Sequence, residues 1–171
     1  MYNYSVLNDY GVFLFNLYGS SQKYGIAVSK IQEILPCPRV TVMPSRIQYV
    51  TGVITIKNGG TIPVVDINQV ITGRRTTDPS KNLVVIAKIN NTKVAFLASR
   101  ADRIINISEN AILPSQSAQV SLYMQGAVEF NDSLVELIDI DKIINDVFAG
   151  SVTLSDAVVS NDAHFENVIA G

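Results

Sequence analysis

Few side chains in this sequence have the types and spacing that chemistry needs. Asp66 ends the apolar run `IPVVDI`, and Asp139 and Asp141 stand in `LIDIDKII`. A carboxylate at a strand tip can act as a general acid or base if it meets a second group in a pocket. The `DID` pair could begin a metal site, but no histidine, cysteine or third carboxylate follows at a useful spacing. Cys37, the one cysteine, makes no internal disulfide, and as a nucleophile it would need a base beside it. The one histidine, His164, stands far off in a polar C-terminal stretch. A Ser-His-Asp arrangement would depend on that residue. The sequence therefore supplies no catalytic set, no metal ligands and no cofactor motif, and `NGG` lacks the spacing and terminal Lys-Ser/Thr of a phosphate loop.

Asp66 and Asp139 have a simpler use. Each directly precedes a short helical pattern, where a carboxylate accepts from the unpaired N–H groups of the first turn. They also occupy equivalent places in an internal repeat. `YGIAVSKIQEILP` from Tyr24 matches `VAFLASRADRIIN` from Val94 at an offset of about 70, and Pro44 answers Pro114. `IPVVDINQVI` from Ile62 matches `VELIDIDKII` from Val135, and Gly52-Val53-Ile54 resembles Gly126-Ala127-Val128. A residue repeated in both halves is more simply a fold device than half of an active site.

The elements that must position these residues are mostly strands. Hydrophobic residues make up 47% of the 171 residues and charged residues 16%, enough to bury a core, and β-branched residues crowd into short apolar runs. `VFLFNLY`, `YGIAVS`, `GVITIK`, `TIPVVDI`, `NLVVIAKIN`, `TKVAFLAS`, `LYMQGAVEFN` and `DSLVELI` read as strands. Turns fall at Gly19-Ser20-Ser21, `NGG`, Asn90-Asn91 and Asn131-Asp132. In `VSKIQEIL`, Val28, Ile31, Ile34 and Leu35 fall on one helical face, which predicts a short helix stopped by Pro36. Pro63, without a ladder donor, is expected at a strand edge or a bulge. `INQVIT` predicts a short helix ended by Gly73. Two β halves of about 70 residues are small to stand alone and are expected to share an interface, as closed or nearly closed barrels.

A net charge of −2 argues against nucleic acid, and `GRRTTDPSK` reads as a solvated turn. No signal peptide or apolar run long enough for a membrane span is present, which predicts a cytoplasmic protein without direct membrane insertion. What remains is a binding module.

`YGIAVSKIQEIL`, `VMP`, `YVTGVITIKNGGTIPVVDI`, `VAFLASRADRII` and `LVELIDIDKII`, in this order across residues 12–148, resemble the CheW-like family of bacterial chemotaxis coupling domains. The resemblance implies a mainly β fold of two packed five-stranded SH3-like β-barrel subdomains with short helices. It places one domain over residues 1–148, with approximate halves at 12–80 and 81–148 whose strands can cross between them. Residues 149–171 lie outside the resemblance and read as a tail, either disordered or a docked or partner-bound amphipathic helix whose patchy stripe of Leu154, Val158, Phe165 and Ile169 is interrupted by Asp162.

The implied function is a noncatalytic adaptor, in the cytoplasm at the inner membrane face where receptor arrays hold it. Its partners would be the regulatory domain of a CheA-type histidine kinase and the cytoplasmic tips of methyl-accepting chemoreceptors. The alternative is a divergent CheW-like scaffold for another partner, as in type IV pilus control. The family pattern `GxINLRGxVIPVVDL` carries an arginine where this chain has Lys57, and Asn58-Gly59-Gly60 makes the turn one residue longer. Lysine keeps the charge and loses the planar fork of donors. The family's Val-Asp pair appears here as Ala98-Ser99. Lys57, Arg46 and Asn58 are the expected polar contacts, with Ile47, Val50, Val53 and Ile56 supporting the surface and Gly52, Pro63, Asp66 and Asp139 framing it.

Overall fold

The computed structural model describes residues 9–44, 46–58, 60–115 and 121–149. The segment after 149, with His164, lies outside the described residues. Ten strands follow one another: β1 (Asp9–Asn16), β2 (Lys23–Ala27), β3 (Ile31–Pro36), β4 (Val50–Thr55), β5 (Thr61–Val65), β6 (Leu83–Ile89), β7 (Thr92–Ala98), β8 (Arg100–Ser108), β9 (Met124–Phe130) and β10 (Ser133–Ile138). Helix α1 (Ile67–Thr72) follows β5 and α2 (Ile140–Val147) follows β10. Asn90, Asn91, Asn131 and Asp132 all take positive φ, as two-residue hairpin turns require.

The strands form two five-stranded sheets, β8-β1-β2-β10-β9 and β3-β6-β7-β5-β4. The two repeats run from β1 to α1 and from β6 to α2, and neither builds a sheet alone. Each sheet takes the first two strands of one repeat and the last three of the other. The exchange is sealed by parallel pairs in the same register: Leu137 opposite Gly25 in one sheet, Val64 opposite Ala95 in the other.

Three clusters of buried side chains explain the apolar runs. Val12, Leu14, Val135 and Leu137 fill the core of the first sheet, and Ile62, Val64, Val84 and Leu97 that of the second. Between them, Phe13, Phe15, Val85 and Phe96 join both helices in a shared core. Alternate residues of β1, β6 and β7 thus face a private core and the shared one. Strands buried on both faces read as unbroken apolar segments.

Two expectations are corrected. The helix over Val28–Leu35 is a single 3-10 turn, Val28–Lys30, after which β3 runs to Pro36; `RADRII` in the second repeat is likewise strand β8. The β3 ladder with β6 skips a residue between Ile31 and Glu33. That bulge brings Ile31 and Ile34 to the same side, against the shared core, and imitates a helical spacing. Pro63 lies in β5, an interior strand. Its partner Val53 exchanges both backbone hydrogen bonds with Thr41 instead (2.8 and 3.0 Å), so the two are opposed without bonding each other. The β5–β7 ladder consists of Val64 and Val65. The missing donor therefore falls just before that ladder begins.

Candidate functional site

Gly52 and Gly126 fix the outer edges of the two sheets in the same way. The segment leading into β4 crosses it at Thr41, which bridges Val53; the segment leading into β9 crosses at Leu113, which bridges Ala127. A Cβ on Gly52 would stand 2.3 Å from the Thr41 carbonyl oxygen, and one on Gly126 2.5 Å from that of Leu113. Only glycine admits the crossing backbone. Each crossing covers an otherwise open β-edge.

Asp66 caps α1. Its Oδ1 accepts from the Gln69 N–H (3.3 Å) and the Thr76 hydroxyl (2.9 Å), and its Oδ2 from the Thr76 N–H (2.7 Å). It is 1% exposed. A carboxylate so occupied and so buried meets no substrate. Asp139 caps α2 through the Lys142 N–H (3.0 Å), and Asp141 turns away to Lys30 at 2.7 Å. The backbone N–H of each capping residue is held by a tyrosine carbonyl, Asp66 by Tyr49 and Asp139 by Tyr123. Burial, and then a hydrogen bond with Asp146, raise the pKa of the Tyr123 phenol. Cys37 donates to the Pro38 carbonyl, and burial pushes its thiol pKa up, the wrong direction for a nucleophile. Among the described residues no three His, Cys, Asp or Glu side chains are grouped to hold a metal.

The expected polar contacts separate into two places. Lys57 and Asn58 are exposed in the loop from β4 to β5, where the Ile56 N–H reaches the Gly60 carbonyl (2.9 Å). Arg46 is exposed before β4, at its other end. A six-residue strand separates the two places, roughly 20 Å at the usual rise. Ile47 and Val50 are half-buried against the shared core, and Ile56 packs on the core of the second sheet. Val53 is 4% exposed and offers no surface for contact.

Charge distribution is a feature that motif reading passed over. Residues 31–98, which hold the β3-β6-β7-β5-β4 sheet, carry eight lysines and arginines against three acids, a formal +5. Residues 9–27 and 100–149, which hold the other sheet, carry four against nine, a formal −5. Of the eight cations, only Lys81 makes an ion pair among the described residues, with Asp78 at 3.2 Å. Hydrogen bonds from Ser80 and then Lys81 hold the Asp78 carboxyl below its usual range. The signal lay in the sequence, but it emerges only when strands are assigned to sheets.

Comparison with known proteins places this geometry. A family model described as the CheW-like domain matches residues 12–148. The chemotaxis protein CheV3 of Helicobacter pylori is 31% identical over 166 residues, 89% of this chain and 51% of CheV3, so the chain spans about half the length of that relative. The chemotaxis protein CheW of Thermotoga maritima is 26% identical over 142 residues, covering 82% of this chain and 91% of that protein. The crystal structure of the scaffolding protein TtCheW from Thermoanaerobacter tengcongensis is similar in fold, with a TM-score of 0.68 at 18% identity, covering 81% of this chain and 89% of that one. The two five-stranded sheets with few short helices are that mainly β arrangement of two SH3-like subdomains. No helix among the described residues is long and apolar enough to cross a membrane.

Proposed function

The chain belongs to the CheW-like domain family, and on that premise we propose that it is a noncatalytic adaptor of chemotaxis signalling, coupling the cytoplasmic tips of chemoreceptors to the regulatory domain of a CheA-type histidine kinase. The observation that carries this reading is the division of labour among its polar residues. The aspartates that could have done chemistry are spent on framing the two helices, whereas Lys57 and Asn58 beyond one end of β4 and Arg46 beyond the other stand exposed. A surface of exposed polar groups on a packed apolar support suits protein recognition. The barrel bearing Lys57 is the face for the kinase. The junction of the two barrels, with its open cleft beside Asn16, Leu17, Gly19, Ser99 and Arg100, is the face for a helical receptor tip. The relatives are named for chemotaxis, which favours that output over pilus control. Coupling to receptors would hold the protein in the cytoplasm at the membrane face.

The test is reconstitution from purified full-length protein, receptor cytoplasmic fragments and kinase. A ternary complex is expected, and Lys57→Ala should weaken the kinase arm by about three- to ten-fold, the usual scale for an exposed interfacial charge. Absence of binding to both partners would end the proposal. Binding that is indifferent to Lys57→Ala would move the kinase contact to another face.

A further inference from the structure

A second feature of the basic barrel is an apolar groove that the coupling surfaces above do not use. It lies between the crossing segment, which supplies Pro38, Arg39, Val40 and Val42, and the connection joining the repeats, which supplies Pro79 and Asp78, a carboxylate already paired with Lys81; Thr51 lies at its base. Val42 is 77% exposed, the highest figure among the exposed large hydrophobic residues of the described chain. Thr51 is the residue the β4–β5 register skips, and its hydroxyl is buried without a hydrogen-bond partner among the described residues. An exposed valine at the mouth of an apolar groove marks a surface that a further apolar segment can cover.

We infer that residues 150–171 of this same chain dock on this groove. This goes beyond the coupling role and does not depend on it. The match is first one of charge. After Lys142 the chain contains no lysine or arginine, and residues 150–171 carry Asp156, Asp162 and Glu166. The barrel that holds the groove has a formal charge of +5, and Arg39 on the groove wall is one of its cations without an ion pair among the described residues. The acidic barrel repels the same segment, so the field has a direction. The segment also brings apolar side chains, Leu154, Val158, Phe165 and Ile169, to meet Val42 and Val40.

Reach is no obstacle. Residues 150–171 leave from Ala149, just past α2, and such a length of chain can extend about 70 Å. A domain of this size has a radius of gyration of roughly 14 Å. The docked segment would cover part of the basic barrel, and a partner that binds there would have to compete with it.

Hydrogen exchange on the full-length protein tests this. In the wild type, exchange over Val40–Met43 and over residues 150–171 should be slowed about ten-fold relative to a D156K/D162K/E166K variant. Salt at about 1 M, where screening acts within roughly 3 Å, should remove most of the difference. Val42→Asp, at an exposed position that leaves the core intact, should release residues 150–171 without changing exchange in β6 or β7. Equal exchange in wild type and both variants overturns the inference. Protection that grows with protein concentration also overturns it, since the occupant would then come from a second copy.

Discussion

Asp66 and Asp139 occupy the same place in the two repeats and are held differently. Both end a strand, cap a helix and donate their own N–H to a tyrosine carbonyl. Asp139 stops there and stays partly exposed. Asp66 accepts two further bonds from Thr76, in the connection between the repeats, and is sealed from solvent. The first repeat has thus turned a shared cap into an anchor for the connection that leads into β6. The frame is common to both repeats; what is added to it, including the charge, differs.

Substitutions can test how far that equivalence goes. The largest effect is expected where the repeats are most alike. Gly52→Val and Gly126→Val each force a side chain into a crossing backbone and should each cost about 3 kcal/mol or more, Gly126→Val the more because its φ of 154° also disfavours a side chain, read from urea unfolding midpoints. If one were tolerated, the crossings would not be equivalent devices. The caps come next and should diverge. Asp66→Ala removes a cap and leaves the half-buried Thr76 without its acceptor, for about 2–3 kcal/mol, whereas Asp139→Ala loses the cap alone, about 1 kcal/mol. Equal losses would show that Thr76 adds nothing.

The smallest effect concerns the ion pairs that bind the first repeat to the second. Lys23 on β2 pairs with Asp102 on β8, and this contact, with help from Arg103, holds the Asp102 carboxyl below its usual range. A depressed carboxyl contributes stability above its unfolded pKa of about 3.9 and loses it as pH falls through the folded value. Asp102→Asn should therefore cost about 0.5–1 kcal/mol at pH 7 and almost nothing at pH 2. The more exposed pair, Lys30–Asp141, should give about half that loss on Lys30→Met. Reversal of the two would mean that solvent exposure does not rank them.

Local features were legible in the sequence where local chemistry decides them. The asparagine turns, both caps and Gly73, which closes α1 at φ 75°, follow from backbone preferences. The repeat was legible too, though its gapless proline match was not structural. Thr41 and Leu113 are the equivalent crossing residues, so Pro114 follows its crossing directly while Pro44 stands three residues beyond. The helix read over Val28–Leu35 failed because a bulge in β3 reproduces helical spacing. Strand exchange left no local mark, since two similar repeats satisfy the same apolar pattern whichever partner they choose. Within the candidate site, Lys57 and Arg46 were readable as exposed cations. Their separation by the length of β4, and the burial of Val53, depended on pairing that no short stretch encodes.

The exchange of strands has a consequence for how the chain is made. A ribosome that has delivered residues 1–80 has supplied five strands but neither complete sheet, because β6 and β7 must be inserted between β3 and β5. One sheet can close only when Ala98 has emerged, and the other must wait for Ile138. Until then `VFLFNL` and its neighbours have no core to enter, and the nascent protein passes through an interval of exposed edges and unburied phenylalanines. Chaperone dependence during synthesis should accordingly peak in the middle of the chain and fall once β10 is free.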